Sequence, residues 1–264
     1  MSAEQPIVFQ RSDLAIAWGR LFNHVMQPQH RDLRLFVVSI GALDAGLPSE
    51  NQSIRAALDS ALAASKRYPV DVTAMTIFPY KSWVRLGRPP CAPFSDRCVK
   101  RLLPRLRALD RRNQYGTYFE RMMAYSGVRG EKSRTVNQLE HVIELLKKSR
   151  RRRESALQIS CFDPAKDHTG QPVRGFPCLQ QIGISRDDGR RFSINAFYPT
   201  QFVFDRAYGN YLGLCQLGDF IAHETGLKFS YLNCFISRPE LGGGRKADVA
   251  DLLEVTSAVC GAAV

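Results

Sequence analysis

The strongest constraint on this chain is a change of period. Over residues 135–148 the apolar side chains Val136, Leu139, Val142, Ile143 and Leu146 fall at helical spacing. From residue 157 they switch to every second position: Leu157, Ile159 and Cys161, then Ile182 and Ile184, then Phe192, Ile194, Ala196 and Tyr198. A period of two places side chains on one face of a strand, whereas a period near 3.6 places them on one face of a helix. Asp187-Asp188-Gly189 separates the second and third alternating runs and suits a hairpin turn. The second half of the chain is therefore expected to build a sheet of adjacent antiparallel strands.

Helices are expected around it. Ser12 can cap a helix carrying Leu14, Trp18, Leu21 and Val25 on one face, ended by Gln27-Pro28-Gln29. Residues 33–40 read as a buried strand, and residues 53–66 as a helix with Ile54, Leu58 and Leu62 inward. Residues 71–83 are mixed and interrupted by Pro79. A loop over residues 87–95 precedes a helix over 96–109. A long helix opens near Asn210 and ends at Gly226, a strand follows over 227–236, and residues 249–259 form a terminal helix. The expected architecture is one α+β domain over residues 1–264, its central, mostly antiparallel or mixed sheet flanked by helices.

The 264 residues are ample for one core, and 44% hydrophobic with 23% charged residues is an ordinary globular balance. No apolar run reaches the length of a membrane span, and residues 1–10 lack a basic-then-apolar leader, so a cytoplasmic protein is expected. The 37 Lys and Arg against 25 Asp and Glu leave a formal charge of +12, which favours an anionic partner. The seven cysteines show no metal-type clustering, so no metal site is expected and reduced thiols are the simplest account.

One cysteine stands apart. Cys178 lies in Gly175-Phe176-Pro177-Cys178-Leu179-Gln180-Gln181, at the mouth of the strand through Ile182 and Ile184. A thiol is most often a packing group. Here a preceding proline fixes the backbone and a strand seats it, which makes Cys178 a candidate nucleophile. Three blocks line up with it. Asn113-Gln114-Tyr115-Gly116-Thr117-Tyr118 comes first. Next is the helix from Asn137-Gln138-Leu139 with its basic end, leading to Phe162-Asp163-Pro164. Then come Pro177-Cys178, a hairpin, and the helix at Asn210. In order and spacing, roughly over residues 113–226, this resembles the thymidylate synthase family, which includes the pyrimidine nucleotide hydroxymethylases.

The resemblance implies a thymidylate synthase-like fold and an enzyme that adds a thiolate to carbon six of a pyrimidine nucleotide. Carbon five thereby becomes nucleophilic toward a one-carbon unit from methylene-tetrahydrofolate. It casts Cys178 as the nucleophile and Asn210 as the reader of the pyrimidine edge. Tyr115 helps remove the carbon-five proton, with Tyr118 as its competitor if the motif slips. The family is a homodimer whose partner subunit donates two arginines to the phosphate, matched approximately by Arg152 and Arg153. Arg31, or alternatively Arg34, matches a further phosphate arginine.

The departures are specific. Leu179 stands where the family has histidine, Pro199 where it has a phosphate arginine, and Phe202 where an aspartate binds the pterin of folate. A second register built on Arg206 with Leu212-Gly213 restores the arginine but shortens the following helix. In the length-matched register, Arg206 is a spatial substitute for it. No acid lies between Asp71 and Trp83, where the family's glutamate is expected, and residues 231–239 offer no match for its sugar-binding histidine and tyrosine. The implied activity is transfer of a methyl or hydroxymethyl group to a pyrimidine nucleotide. The alternatives are modification of a pyrimidine within a nucleic acid, or an idle relative that only binds.

Overall fold

The computed structural model describes residues 5–27, 34–109, 116–129, 132–148, 153–168, 170, 177–187 and 190–262. Six strands form one mixed sheet: β1 (Ile7–Arg11), β2 (Phe36–Ile40), β5 (Gln158–Ser160), β6 (Gln181–Arg186), β7 (Arg191–Phe202) and β8 (Lys228–Glu240). Their order across the sheet is β1-β2-β8-β7-β6-β5. The β1/β2 and β7/β8 pairs are parallel, and the β2/β8, β6/β7 and β5/β6 pairs antiparallel. A separate hairpin joins β3 (Tyr125–Arg129) and β4 (Lys132–Val136).

The expected alternation is realised. Arg186 pairs with Phe192 and Gln181 with Phe197, which makes β6 and β7 antiparallel neighbours. Ile159, Ile182, Ile194, Ala196 and Tyr198 are fully buried on the inner face. Against this face lie α1 (Leu14–Met26), α8 (Gln138–Lys147) and α10 (Tyr208–Thr225). The other helices are α2 (Gln52–Ala64), α3 (Val70–Ile77), α4 (Tyr80–Arg85), α5 (Cys91–Arg97), α6 (Leu103–Leu109), α7 (Tyr118–Met123), α9 (Pro164–Asp167) and α11 (Ala250–Ala262).

Several boundaries depart from the sequence expectation for local reasons. Asp13, rather than Ser12, caps α1 by accepting the Ile16 N–H at 3.0 Å. The expected loop over 87–95 gives way to α5 from Cys91, because Pro90 supplies a φ of −57° at the helix entrance and Phe94 enters the aromatic core. The helix expected from residue 135 starts later: Thr135 and Val136 pair in β4, and Asn137 caps α8 through the Glu140 N–H. Strand β1, the β3/β4 hairpin and α7 were not anticipated. Asn210 is not a helix cap, since a π-helical turn at Val203–Ala207 already runs into α10.

Helix α10 is buried almost all round, and its glycines set its seat. A Cβ on Gly213 would stand 2.7 Å from the Ala74 carbonyl oxygen and the Ile77 Cβ of α3. One on Gly209 would stand 2.6 Å from the Thr73 Cβ. This close approach carries Thr73 alongside the first turn of α10. Gly213→Ala is therefore expected to lower stability by about 1–3 kcal/mol through overpacking, read as a lower urea midpoint at unchanged m.

Among the described residues the outer sheet face carries a polar ladder and no helix. Ser39 Oγ donates to Asn233 Oδ1 at 2.8 Å, Asn233 Nδ2 to Asn195 Oδ1 at 2.9 Å, and Asn195 Nδ2 to Ser185 Oγ at 3.1 Å. Phe197 and Tyr231 are exposed on the same face.

Candidate active site

The C-terminal ends of the parallel strands β7 and β8 open into a cleft of about 620 Å³. Its walls come from five parts of the chain. Arg67, Thr73 and Thr76 belong to α3 and the connection before it, Tyr118 and Arg121 to α7, and Pro177 and Cys178 to the entrance of β6. Gln201 through Asn210 run from β7 into α10, and Glu240 with Gly242 and Gly243 follows β8. Crevices beyond the carboxyl ends of parallel strands are where α/β sheets commonly hold ligands.

Cys178 is half-buried at this cleft, whereas the other six cysteines are buried, and none of the seven is in a disulfide. Its seat is a tyrosine. The backbone N–H groups of Cys178 and Leu179 donate to Tyr118 Oη at 3.1 and 3.3 Å, and the Tyr118 hydroxyl also hydrogen-bonds the Cys178 thiol. One phenol thus fixes the nucleophile's backbone and touches its sulfur. Tyr118 is itself held by α7, whose cap Thr117 accepts the Glu120 N–H. Arg121 ties α7 to α9 through a two-pronged bond to Asp167 at 2.5 and 2.7 Å, and donates to the Cys161 carbonyl at 2.6 Å. Bidentate guanidinium–carboxylate pairs are the strong, orienting ones.

Burial is the largest influence on the Cys178 thiol and pushes its pKa up. Arg206 pulls the other way most strongly, Asp205 and Glu240 raise it again, and the Tyr118 hydrogen bond lowers it. The contrast is with Cys91, Cys98 and Cys161, which burial drives to about 12. Removing the Arg206 charge must raise the Cys178 pKa further, leaving less thiolate at any fixed pH below it. Arg206→Ala is expected to slow iodoacetamide labelling of Cys178 at pH 8 by about threefold or more, and Glu240→Gln to speed it. Peptide mass spectrometry of a time course reads both.

Asn210 is 3% exposed on the first turn of α10 and lines the cleft, as does Arg206 on the π-helical turn before it. Three of the residues singled out by sequence, Cys178, Asn210 and Arg206, are therefore brought together. Arg206 sits 3.7 Å from Asp205, and its guanidinium lies 6.0 Å from the Tyr68 ring centroid. Helix α10 runs unbroken through Leu212-Gly213, as the length-matched register requires. Where the family's glutamate was expected, α3 presents Thr73 and Thr76. Arg153 is exposed and does not line this cleft. Tyr115, Arg31 and Arg152 lie outside the described residues.

Sequence reasoning missed Gln201, Arg67, Asp205 and Glu240 as cleft residues. The signal for Asp205 was its place three residues beyond Phe202, within a helical turn of the position where an aspartate was wanted. The others depend on strand ends meeting in space. Among the described residues no group of three or more His, Cys, Asp or Glu could hold a metal ion, and no helix is long and apolar enough to cross a membrane. A scan against protein-family models and a search of curated proteins gave no match.

Proposed function

We propose that this chain is a divergent thymidylate synthase-like enzyme that transfers a one-carbon unit, methyl or hydroxymethyl, to carbon five of a pyrimidine nucleotide. The observation that carries this reading is the convergence of Cys178, Arg206 and Asn210 on one cleft from separate segments. The resemblance in sequence order assigns these residues complementary tasks.

The chemistry follows from the seats just described. Ionised Cys178 adds its sulfur to carbon six, and the pair of electrons from the ring double bond moves through carbon five onto the carbonyl at carbon four. Asn210, an amide with both donor and acceptor, faces that edge and stabilises the enolate oxygen. Arg206 offsets the sulfur's charge before addition. Carbon five, made nucleophilic, bonds to the one-carbon unit, which parts from its carrier; loss of the carbon-five proton and expulsion of the thiolate then restore the ring, with Tyr118 keeping the sulfur on line for addition and expulsion. Arg206 is also the phosphate-binding substitute for the arginine replaced by Pro199.

Methylene-tetrahydrofolate, when bound, would supply carbon at the methylene level of oxidation, together with the hydride that a methyl product needs; water would complete a hydroxymethyl one. The cleft suits a flat heterocycle with N–H groups at its edge: Phe202, 37% exposed, offers a stacking face, and the Asp205 and Glu240 carboxylates offer acceptors. Asp205 takes over the acidic role vacated at position 202. A homodimer is part of the same reading, supported by the helix-free sheet face bearing Phe197 and Tyr231. Arg152 and Arg153 would then serve the partner's phosphate.

The test is release of tritium from carbon-five-labelled UMP, dUMP, CMP and dCMP, with and without methylene-tetrahydrofolate. Cys178-dependent release from one of these is expected. No release from any of them, together with no Cys178 adduct on a 5-fluoropyrimidine nucleotide, overturns the reading.

A further inference from the structure

The floor of the cleft holds a side chain that none of the roles above uses. Gln201, near the end of β7, is 0% exposed and lines the cleft. Its Oε1 accepts the Tyr211 hydroxyl at 2.7 Å, whereas its Nε2 is buried with no hydrogen-bond partner among the described residues. In this arrangement the acceptor end of the amide is engaged in the core and the donor end is left over. A second orphan lines the same cleft, Thr73 Oγ1, on a residue 2% exposed. Leaving an amide donor buried and unpaired is costly, so the cavity beside it implies an acceptor that arrives with the ligand.

The chemistry of that acceptor can be narrowed. A phosphate would find the cations Arg67, exposed, and Arg206, half-buried, before a neutral amide that is fully buried. Gln201 is instead hydrogen-bonded to Tyr211, the residue next to Asn210, the proposed reader of the ring edge. We propose that Gln201 is a specificity-determining residue whose Nε2 donates to a carbonyl oxygen of the bound heterocycle, so that the cleft takes an oxo-pyrimidine in preference to its amino counterpart. Tyr211 is a positioning residue for this bond. The inference rests on the nucleotide reading of the cleft and deepens it, by choosing uracil over cytosine. An amino group presented to Gln201 would set donor against donor.

The experiment is calorimetric titration of the wild-type chain with UMP, dUMP, CMP and dCMP, repeated on two variants. Gln201→Glu keeps an acceptor for Tyr211 but turns the donor end into an acceptor. The double variant Tyr211→Phe/Gln201→Met removes both partners of the buried bond, so neither is stranded, and its urea midpoint checks the fold. A wild-type preference for the uracil nucleotide of about tenfold or more is expected, lost together with a similar factor of affinity in both variants. Equal uracil-nucleotide affinity in all three proteins overturns the role of Gln201 and leaves the nucleotide reading standing. Wild-type binding of the cytosine nucleotide as tightly as the uracil one overturns the carbonyl assignment. No binding of any of the four to the wild type overturns the nucleotide reading itself, and this proposal with it.

Discussion

Cys178→Ser is expected to abolish carbon-five tritium release, by on the order of 10⁴-fold or more, while leaving nucleotide affinity within about threefold. Serine preserves the shape and the backbone hydrogen bonds to Tyr118 Oη, so the fold has no reason to move. What changes is the nucleophile. A hydroxyl does not ionise in a cleft where burial already raises a thiol, and Arg206 is too weak a counterweight to compensate. Rapid-quench mass spectrometry with a 5-fluoropyrimidine nucleotide should show an adduct on the wild type and none on the variant. Release at wild-type rates from Cys178→Ser would remove the thiol from the mechanism. The same experiment on Tyr118→Phe separates seating from chemistry: its rate should fall while the adduct still forms.

The second large effect concerns Asn210. An amide can offer a donor to one ring atom and an acceptor to the next, whereas a carboxylate offers acceptors alone. Asn210→Asp is expected to weaken uracil-nucleotide binding by about 10–100-fold and to cost the cytosine nucleotide less, narrowing or reversing the preference. Its position makes the substitution informative. Asn210 is 3% exposed within α10, beyond the π-helical turn, so no capping bond is lost with it. An unchanged ratio of uracil to cytosine affinity in Asn210→Asp would show that the side chain reads something other than the ring edge.

Both predictions concern residues that were legible in the sequence, and the reason is physical. Alternation at Ile182, Ile184, Phe192, Ile194, Ala196 and Tyr198 is written residue by residue, because a strand with one buried face has period two. The Pro-Cys pair and the asparagine of α10 are local as well. Strand β1 was not legible: Ile7–Arg11 is short, lies at a sheet edge, and alternates between half-buried and exposed positions. Helix α5 was hidden by the proline pair before it, which reads equally as a loop or as a helix entrance. The Gln201 donor was hidden more deeply. A glutamine after a proline and a threonine carries no signal until Tyr211, ten residues later on α10, takes one end of its amide. The same holds for Arg67, Asp205 and Glu240, whose common location depends on where β7, β8 and the α2–α3 connection end.

The sheet order has a consequence for the chain's history on the ribosome. Strand β8 lies between β2 and β7, so the N-terminal pair β1/β2 has no route into the sheet until residues 228–240 have been made. Until then Phe36, Val38 and Ile40 wait beside an open edge, and β5, β6 and β7 wait beside another. Such edges recruit other strands readily, and contacts of long sequence separation form slowly. A nascent chain arrested before residue 228 is thus two unjoined fragments of a sheet, each sticky along one side. Strand β8 closes both at once, and in the same movement brings Glu240 and Gly242 to the cleft.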